Sequence, residues 1–406
     1  MENAAPYVVL ARKWRPQTFE DMTGQEHVVR TIGNAIAQGR VAHAYLFTGP
    51  RGVGKTTAAR LLAKALNCQS SNGPTAQPCG TCKSCEEITK GISTDVAEID
   101  GASNNGVENV REIREAAKYL PQRDRHKIYI IDEVHMLSTA AFNALLKTLE
   151  EPPGHVKFIF ATTEPHKVLD TIISRCQRHN FRRVPTADMT KRLRQICDAE
   201  GIALSDSSLA LVVRQSDGGM RDSLSLLDQI VAACGKAPND EEVASAIGAV
   251  DRKLVSGLAA ALVGRQANTV LAKIEEAFNT GVDLKKLTEE LALYLRHVVV
   301  TRATNNAPDD LAEAERAAVT QLAKSADLTQ LTRLFDVVYA AIFEIAKQQP
   351  RLYLEMVLLK AVQLAPAASV PELIARVERL AAGAGAGPQG ASGGRSPSAP
   401  FRSDRH

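Results

Sequence analysis

The chain has 406 residues, 45% of them apolar and 23% charged; this is near the globular average and too long for one ordinary core, so two or three domains are expected. A net charge of +3 neither demands nor excludes a nucleic-acid partner. The segment "MENAAPYVVLARKWRP" has no apolar signal core and no run of about 18 apolar residues occurs anywhere, so a soluble, cytoplasmic protein with no membrane partner is expected.

From residue 44 to 183, short apolar runs alternate with amphipathic stretches, the pattern of buried parallel strands covered by helices, which predicts an α/β layered domain. Its first strand, "AYLFT", runs into "GPRGVGKT", which fills the template G-x-x-x-x-G-K-[ST] and opens the helix "TTAARLLAKAL". Gly49, Pro50, Arg51, Gly52, Val53 and Gly54, with Lys55, Thr56 and Thr57 at the helix start, are therefore the expected nucleotide contacts. Backbone N–H groups of such a loop face phosphate oxygens, Lys55 neutralises the β and γ phosphates, and Thr56 ligates Mg²⁺. The alternative is a glycine-rich turn without a ligand.

Cys68, Cys79, Cys82 and Cys85 follow that helix with the spacing C-x10-C-x2-C-x2-C. Two C-x2-C steps sharing a cysteine turn their thiolates toward one centre, and Cys68 at the helix end completes a tetrahedral sulfur set. Zinc fits best; an iron–sulfur cluster, a redox pair or inert thiols are the alternatives. Four protein sulfurs leave no open position, so the site is expected to be structural. Because "QSSNGPTAQP" has almost nothing apolar to bury, the metal is the expected source of that loop's order.

Further along, "DVAEID", "KIYIIDE" and "VKFIFATT" read as strands, separated by the helical patterns "VENVREIREAAKYL" and "AAFNALLKTLEE". At the end of "KIYIIDEVH", Asp132 is expected to hold Mg²⁺ through water, and Glu133 to orient and deprotonate an attacking water, which favours hydrolysis. "DEVH" also fits the DExH pattern of nucleic-acid helicases, but those carry a second α/β motor domain, and everything after residue 184 reads as helix. Helices are predicted at about 187–200, 206–216, 220–235 and 240–248, then in a second block over 251–366 with long amphipathic segments. From Gly383 the chain is rich in Gly, Ala, Ser and Pro and is expected to be disordered.

Taken together these residues resemble a known family, the tau/gamma subunits of the bacterial DNA polymerase III clamp loader, which are AAA+ ATPases. The resemblance rests on "LARKWRPQTFEDMTGQEHV", "HAYLFTGPRGVGKTTAARLLAKALNC", "PCGTCKSC", "IDEVHMLSTAAFNALLKTLEEPP", "FIFATTEPHKV", "ISRC" and "GGMRDSLSLLDQ", and covers residues 7 to about 235. It implies an AAA+ nucleotide-binding domain at 1–183 with a zinc knuckle inserted at 68–85, a helical lid at 184–249, a helical collar at 251–366 that closes a five-membered ring, and a linker and tail at 367–406. It further implies assembly with delta and delta-prime subunits and other copies of the chain, using ATP to open the sliding clamp (beta) and load it on primed template DNA. By the same resemblance Leu10, Ala11, Arg12 and Pro16 lie around the adenine, and Thr163, or else Thr162, senses the γ-phosphate. Arg221 of "GGMRD" contacts phosphate from the lid, and Arg175 of "SRC" acts in the active site of a neighbouring subunit. A translocating motor and a non-hydrolysing structural ring member are the rival readings. The family's long form continues into further domains, so a gamma-like short form or a truncated piece is expected. Holoenzyme membership attaches DNA polymerase activity to such chains, yet no second carboxylate set stands out as a nucleotidyl-transfer centre.

Overall fold

The computed structural model describes residues 7–308, 311, 313–345 and 349–363, with 374, 378 and 379 besides. The chain divides into two compact units, Met1–Ala249 and Val250–His406. In the first, α1 (Leu10–Lys13) and α2 (Glu26–Ala37) precede β1 (Ala44–Thr48), α3 (Lys55–Asn67), α4 (Lys83–Lys90), β2 (Val96–Asp100), α5 (Val107–Ala116) and β3 (Lys127–Asp132). Then come α6 (Thr139–Glu150), β4 (Val156–Thr162), α7 (Asp170–Ile173) and β5 (Gln177–Asn180).

The five strands are parallel, in the order β2-β3-β4-β1-β5. Alternate side chains enter two cores. Tyr45, Phe47, Ile128, Ile130 and Ile159 pack with Ile32 of α2 and Leu62 of α3; Leu46, Tyr129, Ile131, Phe158 and Phe160 pack with Val110 of α5 and Phe142 of α6. Burial on both faces is why β1, β3 and β4 read as largely apolar runs, whereas β2, at one edge, mixes buried and more exposed residues and carries Glu98. β5, at the other edge, departs furthest. Its sequence, QRHN, pairs only with β1 at the sheet edge and carries no apolar run, so the sequence signals announced four strands where the structure has five. The order also matters for chemistry, since β4 lies between β1 and β3 and sets Thr162 at its end, and Thr163 just past it, between the strands that lead to the phosphate loop and to Asp132.

After β5 the first unit continues as α8 (Thr186–Glu200), α9 (Asp206–Gln215), α10 (Met220–Cys234) and α11 (Asp240–Ala246). Local chemistry sets their ends. Ser205 caps α9 by accepting the Ser208 amide, and Asn239 and Glu242 form a reciprocal capping box on α11. Leu193, Ile196, Leu209, Leu227 and Ile230 make their common core, which also takes in Leu10 of α1.

The second unit contains α12 (Arg252–Val263), α13 (Ala267–Asn279), α14 (Leu284–Thr304), α15 (Glu313–Lys324), α16 (Leu328–Ile345) and α17 (Pro350–Val362). They share one core through residues such as Leu258, Ile274, Leu291, Leu334 and Leu358. Among the described residues no helix is long and apolar enough to cross a membrane. The tail from Gly383 lies outside the described residues.

Candidate nucleotide site and cysteine centre

Between β1 and α3 the backbone makes a turn that only glycine tolerates: Gly49 has φ +145°, and a Cβ there would stand 2.4 Å from the Phe181 carbonyl oxygen. The tight loop folds back on Lys55, whose ammonium donates to the carbonyls of Gly49 (2.9 Å) and Pro50 (2.7 Å). Burial lowers the Lys55 pKa, with Glu133 and Asp132 opposing. One residue on, Thr56 Oγ1 donates to Asp132 Oδ2 at 2.6 Å, so the start of α3 and the end of β3 bring a hydroxyl and a carboxylate together. Such an oxygen pair suits a small hard dication.

Glu133 sits just past β3 with φ +45°, a left-handed conformation costly for a residue with a Cβ. The 3₁₀ turn Val134–Met136 follows, anchored by buried Val134. This turn aims the carboxylate at the end of β4, where Oε2 accepts from Thr163 Oγ1 (3.0 Å) and Thr163 N (3.3 Å). Thr162 is buried and occupied differently, with Oγ1 2.9 Å from His135 Nδ1. Of the two threonines considered, Thr163 is therefore the one facing Glu133.

A cleft of about 390 Å³ opens over the phosphate loop, Asp132 and Glu133. The loop from Arg51 to Thr57, Asp132 and Glu133 line one side; Ala11, Trp14, Arg15, Pro16 and Met22 line another; Arg192, Ile196, Met220, Arg221 and Leu224 line the third. Arg51 and Lys55 of the loop, with Arg15, Arg192 and Arg221, give the lining its charge, and Met22, Ile196, Met220 and Leu224 give it apolar surface, a mixture that suits a nucleotide. The volume is in the usual range of small-molecule sites, about 300–1,000 Å³. Arg221 enters from the first turn of α10, where its amide donates to the Gly52 carbonyl at 3.1 Å. Of the four expected N-terminal contacts, Ala11 and Pro16 line the cleft. Leu10 is buried in the core of α8–α11, and Arg12 is exposed and does not line it.

Sequence reading missed Trp14, Arg15, Met22, Arg192, Ile196 and Leu224. The last three sit on helices where nothing local separates a cleft residue from a core or surface one. Trp14 could have been found as the only tryptophan in the chain, inside "RKWRP"; its Nε1 donates to Glu200 at 2.7 Å, and Arg192 stacks over its ring. Arg175 is placed away from the cleft, its guanidinium donating to Glu150 Oε1 (2.8 Å) and the Thr171 carbonyl (2.7 Å).

The four cysteine sulfurs lie within 4.8 Å of one another. Cys68 ends α3 and Cys82 begins α4, and the amides of Cys79, Cys82 and Cys85 point at the sulfurs of Cys68, Cys79 and Cys82 in turn, at 3.4, 3.2 and 3.5 Å. A tetrahedral sulfur site with bonds of about 2.3 Å has S–S edges of roughly 3.8 Å, so a small inward shift suffices for a zinc ion. The Ser70 hydroxyl holds the Cys79 thiol down to about 5, while burial pushes Cys85 up. One expectation needs correcting. The loop's order does not rest on metal alone, because Arg125 donates to the carbonyls of Leu66, Cys68 and Ser71, and Thr75 N donates to the Ala65 carbonyl. No other cluster of metal-binding side chains occurs among the described residues.

With this geometry in hand, similarity to known proteins decides the family. The model for "DNA polymerase III clamp loader subunit, ATPase lid domain" matches residues 188–236, that for "DNA polymerase III subunits gamma and tau domain III" matches 239–379, and that for "DNA polymerase III, delta subunit" matches 24–185. The chain is 41% identical over 384 residues to DNA polymerase III subunit tau of Bacillus subtilis, covering 92% of this chain and 67% of that one. It belongs to the DNA polymerase III gamma/tau family. Within that family it is also 41% identical over 367 residues to Escherichia coli tau, covering 90% of this chain and 57% of that protein. To the gamma subunit of Buchnera aphidicola it is 42% identical over 297 residues, covering 73% and 82%. The gamma/tau chain described here thus spans between roughly half and two thirds of the tau proteins it matches. Among solved structures, the Thermotoga maritima RuvB Holliday junction branch migration motor aligns with a TM-score of 0.43 and 17% identity, over 66% of this chain and 86% of that one.

Proposed function

We propose that this gamma/tau chain is an ATP-hydrolysing motor subunit of a replicative clamp loader, working in the cytoplasm. The observation that carries the reading is the meeting of Lys55, Thr56, Asp132 and Glu133 on one cleft, with Thr163 bonded to the Glu133 carboxylate, at the ends of three adjacent strands. Lys55 exchanges its loop carbonyls for the β and γ phosphates, and the loop amides cradle them. Thr56 and, through water, Asp132 would hold Mg²⁺, which when bound neutralises charge on the β and γ oxygens. Glu133 orients and deprotonates the attacking water; Thr163, bonded to that carboxylate, reads the γ-phosphate. Ala11 and Pro16 border the base, and Arg221 draws the lid, residues 184–249, onto the phosphates. Arg175, placed away from its own cleft, serves a neighbouring subunit in a ring closed by the collar, residues 251–366. Cys68, Cys79, Cys82 and Cys85 hold a structural Zn²⁺.

The partners in this reading are delta and delta-prime subunits, other copies of the chain, the beta sliding clamp and primed template DNA. The complete set of hydrolytic groups stands against a purely structural ring member. ATP turnover measured with delta, delta-prime and clamp, with and without primed DNA, tests the proposal. Stimulation that needs both clamp and DNA supports it; stimulation by DNA alone makes the chain a translocase, and no turnover makes it a structural member.

A further inference from the structure

Glu133 is poorly held by its own strand. It follows β3 at a positive φ, and the groups that meet its carboxylate come from elsewhere: the hydroxyl and amide of Thr163, and His135 Nδ1 at 3.3 Å. His135 is itself wedged in place, its side chain only 7% exposed. Each ring nitrogen faces a carboxylate oxygen, Nδ1 toward Glu133 and Nε2 toward Glu164 Oε1, also at 3.3 Å. Nδ1 in addition lies 2.9 Å from Thr162 Oγ1, which accepts the Glu164 amide at 3.0 Å. One imidazole therefore touches the catalytic carboxylate and both residues flanking Thr163.

We propose that His135 is a positioning residue that ties Glu133 to the end of β4, so that the aim of the water-activating carboxylate is set by Thr162–Glu164 and not by β3 alone. This rests on the reading of Glu133 as that carboxylate. The physical argument is one of freedom: a glutamate has several side-chain torsions, and with its backbone at a strand end only neighbours can select one of them. Thr163 contributes a hydroxyl that must also serve the γ-phosphate, so a second, buried contact is needed to keep the carboxylate aimed while that hydroxyl is shared. A misplacement of about 1 Å at such a group costs on the order of 100-fold in rate.

The test uses the full chain with ATP, measuring single-turnover hydrolysis and equilibrium ATP binding. His135→Phe keeps the ring volume and loses both nitrogens, and His135→Leu is a second nitrogen-free variant of smaller volume. Hydrolysis is expected to fall about 10- to 100-fold in these, with ATP affinity changed less than about threefold. His135→Asn, which retains a polar nitrogen near the Nδ1 position, is expected to recover most of the rate. In a Glu133→Gln background, His135→Phe should add no further loss, because the two residues act as one unit. A normal rate in either nitrogen-free variant, an Asn variant as slow as the Phe variant, or losses that multiply with Glu133→Gln each overturn the proposal. Normal hydrolysis by Glu133→Gln alone overturns instead the assignment of Glu133 on which it rests.

Discussion

Replacing Gly49 by Ala tests the phosphate loop where its geometry is least forgiving. An added Cβ would lie 2.4 Å from the Phe181 carbonyl oxygen and 3.0 Å from its carbonyl carbon. That backbone cannot swing aside, because the Phe181 amide donates to the Thr48 carbonyl at 2.7 Å and continues the pairing of β5 with β1. The φ of +145° adds strain of about 1–3 kcal/mol for a residue with a side chain. Forcing the sheet to give adds roughly another 1–3 kcal/mol. A loss of about 2–6 kcal/mol, at roughly 2–4 °C per kcal/mol for a unit of this size, lowers the melting temperature of the first unit by about 4–24 °C. Since the same loop's amides are read as the phosphate cradle, its distortion should lower ATP affinity at least about tenfold. The assay is a calorimetric scan of the full chain beside an equilibrium ATP titration. Gly33→Ala is the control: it lies within α2 with nothing within 4 Å of the added methyl, and should be neutral or stabilising by up to about 1 kcal/mol. If Gly49→Ala melts within about 1 °C of the parent and binds ATP as well, the steric argument is wrong.

Three further outcomes are expected. Protein prepared without chelators should contain about one zinc per chain by elemental analysis, and Cys82→Ser should lose it while the chain stays folded, because Arg125 holds the loop carbonyls independently of metal; recovered iron, or no metal, contradicts the assignment. In mixed rings, Arg175→Ala in one subunit should slow hydrolysis at the adjacent intact site by about tenfold or more with little effect on its ATP binding, whereas slowing confined to the mutated subunit's own site would place the arginine in cis. Burial pulls the pKa values of His126 and His179 down to about 4, so between pH 6.5 and 4 the unfolded chain binds protons that the folded one refuses, and stability should drop as pH falls through that window. Asp240, held at about 2 by its serine hydroxyls, adds its own loss only below about pH 4. His179→Phe keeps the ring packing on Tyr45 and Phe47 and should flatten part of the fall in melting temperature; an unchanged slope would mean that His179 takes up protons in the native state.

The sequence by itself determined whatever depends on neighbours in the chain. The turn at "GPRGVGKT" is dictated by glycines within one loop, the three inner strands by apolar runs that must be buried on both faces, and the cysteine centre by two shared C-x2-C steps joined to a helix end. The helix ends at Ser205 and Asn239 are equally local, since a cap satisfies amides two or three residues away. What only the tertiary structure decided depends on strand order and on helices far apart in sequence. β5 exists because β1 has a free edge for it to pair with, and its own side chains carry no signal of that. β4 lies between β1 and β3, so Thr163 meets a glutamate 30 residues earlier, and His135 joins them. The apolar lining of the cleft is assembled from Met22, Ile196, Met220 and Leu224, each indistinguishable in sequence from an ordinary core residue. Arg125 finds the carbonyls of Leu66 and Cys68 across 57 to 59 residues, because β3 begins beside the end of α3. Hydrogen bonds and packing of this kind are selected by the whole fold, and a one-dimensional pattern carries no record of which distant partner a polar group will meet.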